Sequence, residues 1–188
     1  MFSDPKTLLT EKEYLAIERQ AESRSEFYGG EMFAMAGASR RHNRIVTNLV
    51  TALDNQLRER PCNVYSNDMR VKIPNTGLFT YPDLVVTCGQ EEFADDQQDI
   101  LLSPLVILEV LSDSTEAYDR GKKFEHYQNI GSLSTYVLVT QGAPRIERYV
   151  RQESGRTWIY TEAHEIDAVV GIEAIGCDLR LEDVYAKL

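Results

Sequence analysis

Two carboxylates on neighbouring segments could bind a metal ion. Asp83 follows Pro82 in the strand-like segment FTYPDLVVT, and Glu109 lies inside the apolar run PLVILEVLSD. An unpaired charge in such a run is costly to bury, so it needs a cationic partner or a metal. Two carboxylates from adjacent strands, with a backbone carbonyl such as that of Val110, form the all-oxygen ligand set that Mg²⁺ or Mn²⁺ prefers.

The segment that follows these carboxylates supplies a lysine. Asp119, Lys123 and Tyr127 are spaced four residues apart, which places them on one stripe of a predicted helix. A lysine beside a metal-bound water can orient that water, while the metal neutralises charge on a phosphate. The pattern therefore indicates metal-dependent phosphodiester hydrolysis, with Tyr127 expected to pack. The alternative is a buried ion pair between Glu109 and Lys123 without catalysis, and Lys122, off the stripe, is a competing lysine.

The rest of the chain predicts the elements that position these residues. Helices are expected over residues 10–23, 39–60 and 116–130 from their capping residues and apolar spacing. Strands are expected within SEFYGGEMFAMAG, VYS, MRVKI, FTYPDLVVT, residues 105–111, TYVLVT, RIERYV and TWIYTE. This order predicts a single domain over residues 1–188, of the α/β (α+β) class, with a central mixed sheet flanked by helices.

Charge is distributed unevenly along the 188 residues. The net charge is −10, which by itself disfavours a nucleic-acid partner. Residues 73–119 carry 10 acidic and no basic side chains, so the whole excess falls around Glu109. Part of it is the acidic loop EEFADDQQD, expected to be solvated, and the remainder could surround a cation.

The cysteines and the apolar segments bear on the compartment. Cys62, Cys88 and Cys177 are odd in number and far apart, which favours reduced thiols over a disulfide framework or a zinc site. The N-terminal residues lack the pattern of a signal peptide, and no apolar run is long enough to cross a membrane. A cytoplasmic protein without membrane contact is therefore expected.

Several motifs in order resemble one family. YPDLVV, PLVILEVLSDST, DRGKKFEHYQNIG and TYVLV are similar to the Uma-type restriction endonuclease family of the PD-(D/E)XK nuclease superfamily, as are SEFYGGEMFAMAGAS near the start and GCDLRLEDVY near the end. The resemblance implies a restriction-endonuclease-like core and a site built from Asp83, Glu109 and a lysine. The usual superfamily pattern would place lysine at Leu111, and the Uma-type pattern moves it to Lys123.

Further residues are candidates for accessory roles. Glu31 and His42 match positions of the family's opening, and Asp119 could hold the lysine or a metal water. Three arginines near a predicted helix N-terminus could contact phosphates, although a solvated helix start explains them equally well. They are Arg40, Arg41 and Arg44.

The expected function is Mg²⁺-dependent or Mn²⁺-dependent endonuclease activity on DNA, with a homodimer improving the grip on a duplex. Two alternatives stay open. One is a catalytically inactive nuclease fold that acts as a binding or scaffolding module. The other is hydrolysis of a different phosphoester, such as RNA or a nucleotide.

Overall fold

A computed structural model of the chain describes residues 8–188. The helical segments are α1 (Glu11–Glu18), α2 (Arg40–Leu57), α3 (Glu116–Tyr118), a π-helical turn (Asp119–Lys123), α4 (Phe124–Tyr127), a 3-10 turn (Glu173–Ile175) and α5 (Leu181–Val184). The strands are β1 (Ser25–Tyr28), β2 (Glu31–Ala34), β3 (Cys62–Ser66), β4 (Arg70–Ile73), β5 (Leu78–Thr80), β6 (Leu84–Cys88), β7 (Ile100–Leu101), β8 (Val106–Val110), β9 (Thr135–Val139), β10 (Ile146–Arg151), β11 (Trp158–Ala163), β12 (Val169–Ile172) and β13 (Cys177–Arg180).

The strands form mixed and antiparallel sheets. The largest sheet has the order β11-β10-β9-β8-β6-β3, and only its β8–β9 pair is parallel. A second sheet has the order β2-β1-β5-β4-β7, and β12 pairs with β13. The predicted class, a mixed sheet flanked by helices, is confirmed.

Both faces of the six-stranded sheet are covered. One face packs against α2, whose buried residues repeat at helical spacing from Ile45 through Leu49 and Leu53. The other face packs against α4 and the second sheet. All five residues of β8 are buried as a result, as its continuous apolar sequence indicates. Glu109 lies on the face toward α4, because it is two residues from Ile107 of that cluster.

The capping prediction is confirmed for α1 and wrong for α3, whose N-cap residue Thr115 makes no side-chain capping hydrogen bond. Thr10 and Glu13 form the expected capping box of α1, and the Ser39 hydroxyl accepts from the His42 amide at the start of α2. Helix α1 ends at Glu18, earlier than expected. None of the helices in residues 8–188 is long and apolar enough to cross a membrane.

One expectation about strands was wrong, and one hairpin was not predicted. The segment FTYPDLVVT was expected to be one strand, but it divides into β5 and β6 in different sheets. The chain leaves one sheet and enters the other at residues 81–83, where Pro82 cannot donate a ladder hydrogen bond. The β12–β13 hairpin was not anticipated, and its Gly176 has a positive φ of 56° between the 3-10 turn and β13.

The prediction of reduced thiols was wrong for two of the three cysteines. Cys62 and Cys88 form a disulfide, whereas Cys177 is free and buried. The 26-residue separation hid this pairing, because only the antiparallel β3–β6 register places the two residues opposite each other. The cytoplasmic location stays a prediction, and the disulfide weighs against it because such bonds are rare in reducing compartments.

Candidate active site

Asp83 lies where β6 begins, beside the carboxyl end of β8. Pairing of these strands stops at Leu84 opposite Leu108. Beyond this pair, the Asp83 side chain hydrogen-bonds to the backbone of β8. Its Oδ2 accepts a 2.7 Å hydrogen bond from the Val110 amide and lies 3.1 Å from Nε2 of His42. Neither contact uses Oδ1, which has no hydrogen-bond partner among residues 8–188. Where the pairing of β6 and β8 ends, Oδ1 of Asp83 is therefore available to a ligand.

Glu109 connects this strand end to the helical segments. Its Oε2 accepts a 3.3 Å hydrogen bond from the Asp83 amide. Its Oε1 lies 2.8 Å from Nζ of Lys123 and accepts a 2.8 Å hydrogen bond from the Tyr127 hydroxyl. Only 3% of the residue is exposed. Burial raises the pKa of Glu109 to about 8, and the charges of Asp119 and Asp83 add to this effect against the opposing ammonium.

Lys123 is surrounded by carboxylates. Its Nζ lies 2.8 Å from Glu109 and 3.5 Å from both Glu26 and Asp119. Burial works to lower the pKa of Lys123, but these carboxylates together raise it well above its usual value. Burial also raises the pKa of the Asp119 carboxyl. One ammonium thus faces three buried or half-buried carboxylates, with Asp83 close by.

The lysine stripe includes a π-helical turn. A regular helix was expected over residues 116–130, but residues 119–123 are π-helical between two short α-helical segments. Such turns frequently mark functional sites. Lys123 and Tyr127 both contact Oε1 of Glu109, and Asp119 lies against Lys123, so all three converge as their spacing predicts.

The competing lysines lie elsewhere. Lys122 points to solvent and pairs with Glu125 on its own helix. Lys72 on β4 pairs with Glu11 of α1. Leu111, at the usual superfamily lysine position, is buried in the apolar cluster that includes Phe124. Lys123 is therefore the lysine that the structure brings to Glu109.

Asp83, Glu109 and Lys123 line an open cleft of about 1370 Å³. Its walls are the β1–β2 hairpin, the start of α2, the segment from Glu109 to Asp119, and the loop that follows β9. His42 and Arg41 line it, and Arg41 donates to the carbonyl oxygens of Gln141 and Gly142.

Three other candidates from the sequence lie outside this cleft. Within the described chain, the lining does not include Arg40, Arg44 or Glu31. Glu31 belongs to the hairpin face that bears Glu26, but it pairs with Tyr28 at the turn end. Glu31 therefore lies two residues nearer the turn than Glu26, and of these two acids Glu26 is the one with a described ion pair to Lys123.

The sequence reasoning missed Glu26 and underestimated Tyr127. The Gly29-Gly30 turn fixes the hairpin register, which pairs Glu26 with Phe33 and gives them the same face. That register was readable from the sequence. The hydrogen bond from Tyr127 to Glu109 follows from the helical stripe that already included Tyr127.

The donor set is compatible with a divalent cation. Residues 8–188 contain no ready-formed group of three His, Cys, Asp or Glu side chains around a metal position. Two carboxylates, Asp83 and Glu109, with the Val110 carbonyl are enough for Mg²⁺, because this ion keeps several waters. The excess of carboxylates over ammonium and the raised pKa of Glu109 both describe a site that gains from additional positive charge.

A mixed sheet with carboxylates at adjoining strand ends and a lysine beside them defines a restriction-endonuclease-like class of protein. A crystal structure described as a "putative nuclease belonging to DUF820", from Anabaena variabilis ATCC 29413, shares this fold. Its TM-score is 0.76 at 18% identity, over 93% of this chain and 96% of that one.

The family follows from sequence comparison. Residues 11–182 match the family Uma2, described as "Putative restriction endonuclease", and the chain belongs to this family. It is similar to two proteins of Synechocystis sp. (strain ATCC 27184 / PCC 6803 / Kazusa). Protein sll1609 is 37% identical over 82% of this chain and 87% of its own length. Protein slr1290 is 32% identical over 99% of this chain and 96% of its own.

Proposed function

We propose that the protein is a metal-dependent endonuclease that hydrolyses DNA phosphodiester bonds. The observation that carries the proposal is the meeting of Asp83, Glu109 and Lys123 in one open cleft. Membership of the Uma2 family supports a nuclease. Metal dependence is inferred from the chemistry of the three side chains, and the DNA substrate from the description of the family as a restriction endonuclease.

In this proposal, Asp83, Glu109 and the Val110 carbonyl hold Mg²⁺ or Mn²⁺. The bound cation would neutralise charge at the phosphate and lower the pKa of a water. Lys123 has one short contact, to Glu109, and two longer contacts of 3.5 Å, so the attacking water would replace one of the longer contacts. Attack of that water on phosphorus, in line with the 3′ oxygen, would form a P–O bond and break the P–O3′ bond. A proton from the water would pass to the 3′ oxygen, leaving a 5′-phosphate and a 3′-hydroxyl.

The surrounding residues position these groups. Glu26 and Asp119 hold the ammonium from two sides, and the Tyr127 hydroxyl fixes Oε1 of Glu109. His42 orients the Asp83 carboxylate through Oδ2. Arg41, at the start of α2, could receive a neighbouring phosphate.

The test is cleavage of plasmid DNA with Mg²⁺ or Mn²⁺, together with calorimetric titration of Mn²⁺. Lys123→Ala should abolish cleavage and largely keep Mn²⁺ affinity, whereas Asp83→Ala should lose both. Lys122→Ala is the matched control, because that side chain is exposed and lies on the adjacent position. Cleavage by Lys123→Ala at the wild-type rate would contradict the assignment of the lysine.

A non-catalytic nuclease-fold module is the second candidate. The close and buried contact between Glu109 and Lys123 favours it, because the pair satisfies itself without a metal. Absence of Mn²⁺ binding and of cleavage on DNA, RNA and nucleotides would establish this candidate. Cleavage confined to RNA or nucleotides would instead identify a different phosphoesterase.

We further propose that the protein acts as a homodimer. A small acidic chain has little charge with which to hold DNA, and pairing doubles the number of contacts. Sedimentation at micromolar concentration tests this. A monomer with full cleavage activity would remove the dimer and leave the active-site proposal intact.

A further inference from the structure

Two exposed aromatic rings stand at the mouth of the cleft. Phe33 on β2 and Tyr118 in α3 both line it, with 48% and 36% of their surface exposed. Both flank Glu26, because Phe33 is its cross-strand partner and the Tyr118 hydroxyl donates to its Oε2 at 3.3 Å. We call Phe33 and Tyr118 the aromatic rim.

The two rings of the aromatic rim are not stacked on any ring or cation in the described part of the chain. Neither ring makes an aromatic or cation–π contact with residues 8–188. Tyr28, on the adjoining strand, is also exposed, but its ring packs edge-on against His126 at 4.7 Å. Exposed rings without a stacking partner are available to stack on a flat ligand.

The cations of the cleft are too few and too well paired to hold a duplex by charge. Arg24 pairs with Asp68, Arg145 with Glu147, and Lys123 with its carboxylates. Arg41 is different, since it donates to main-chain carbonyls and has no ion pair with a described carboxylate. Duplex affinity depends on neutralising several phosphates, and the protein carries a net charge of −10.

We propose that the cleft binds an unpaired DNA strand, with bases stacked on Phe33 and Tyr118 and a phosphate at Arg41. Stacking on aromatic side chains gives affinity that does not depend on sequence and needs unstacked bases, which a closed duplex does not offer. The strand would then pass Glu26 and reach Asp83 and Glu109. This inference rests on the proposed nuclease function for the identity of the ligand as nucleic acid.

The test is fluorescence anisotropy with a labelled single strand of about 12 nucleotides and the matching duplex. A chelator is present, so that binding is measured without hydrolysis. The wild-type protein should bind the single strand more tightly than the duplex. Phe33→Ala and Tyr118→Ala should each weaken single-strand binding by about fivefold or more. Tyr118→Phe, which keeps the ring and loses the hydroxyl, should bind like wild type.

Tyr28→Ala is the matched control, because it removes an exposed ring of the same hairpin outside the cleft lining. It should leave binding unchanged, and circular dichroism should show native folds for all variants. Equal or tighter duplex binding would overturn the inference, as would wild-type affinity in both rim alanine variants. Loss of self-association in Phe33→Ala, without loss of DNA binding, would assign the rim to a contact between copies and overturn it too.

Cleavage measured separately distinguishes this failure from failure of the proposed function. Rim-dependent binding of the single strand without hydrolysis in Mn²⁺ would uphold the inference and contradict the nuclease. If Phe33→Ala and Tyr118→Ala hydrolyse a duplex at the wild-type rate, the result would support the nuclease function and contradict the inference.

Discussion

Glu109→Gln tests whether the buried carboxylate destabilises the fold. Burial raises its pKa from 4.5 to about 8. Because the folded pKa lies above the unfolded one, the stabilising contribution is complete below about pH 4.5 and is lost as the pH rises through 8. At about 1.4 kcal/mol per pKa unit, the loss is about 3 kcal/mol at pH 7 and approaches about 5 kcal/mol above pH 8.

Glutamine removes this penalty and keeps most contacts. Its Oε1 can still accept from Lys123 and Tyr127, as Glu109 does. Its amide group, however, would face the Asp83 N–H, which now donates to Oε2. The loss of that hydrogen bond costs about 1 kcal/mol. The variant should therefore gain about 2 kcal/mol of unfolding free energy at pH 7 and about 4 kcal/mol near pH 9.

The assay is urea unfolding in a chelator at about pH 5, 7 and 9. The fluorescence of Trp158, the single tryptophan, reports unfolding because its ring packs edge-on against Phe124 at 5.2 Å. Glu125→Gln is the control, since that side chain is 64% exposed and pairs only with Lys122 among described residues. It should change stability by less than about 0.5 kcal/mol at every pH.

A difference between Glu109→Gln and wild type that does not grow with pH would refute this reasoning. It would mean that Lys123 fully compensates the Glu109 charge, as in a structural ion pair. Such a result would also favour the non-catalytic candidate, because the cluster would then have no excess negative charge to attract a cation.

Three further outcomes are expected. Mn²⁺ affinity, measured by calorimetry in buffers of different ionisation enthalpy, should rise between about pH 6 and 8 with release of the Glu109 proton. Leu111→Lys, which restores the usual lysine position, should not rescue cleavage in Lys123→Ala, and its thermal melt should show a loss of several kcal/mol from a buried charge. Reduction of the Cys62–Cys88 disulfide should lower the urea unfolding free energy by about 3 kcal/mol, since it closes a loop with a separation of 26 residues.

Much of the site could be predicted because it depends on local spacing. Asp83 and Glu109 stand out as carboxylates on apolar strands, and the four-residue spacing of Asp119 and Lys123 selects one lysine of two. These signals need only the periods of strands and helices. The same periods identified α2 and the meander from β9 to β11.

The parts that could not be predicted depend on contacts between distant segments. Cys62 and Cys88 meet only through the β3–β6 register. The segment FTYPDLVVT is divided because its first part pairs in one sheet and its last part in the other. The π-helical turn widens the helix by one residue per turn, and no residue type in DRGKK signals it. To predict the contact of Glu26 with Lys123, one needs the register of the β1–β2 hairpin and the position of that hairpin relative to the helical segment. The sequence indicates only the register.

The position of the lysine determines what must be folded for the site to be complete. A lysine at residue 111 would share a strand with Glu109, whereas Lys123 reaches it only when the helical segment docks on the sheet. Glu26 favours that docking, because it holds the ammonium from the hairpin, whereas Asp119 contacts the ammonium from within the same helical segment. The hairpin that supplies Glu26 also carries Phe33 at the mouth of the cleft. Docking of the helix, placement of the lysine and formation of the cleft wall are therefore one structural event, and weakening Glu26 should loosen all three.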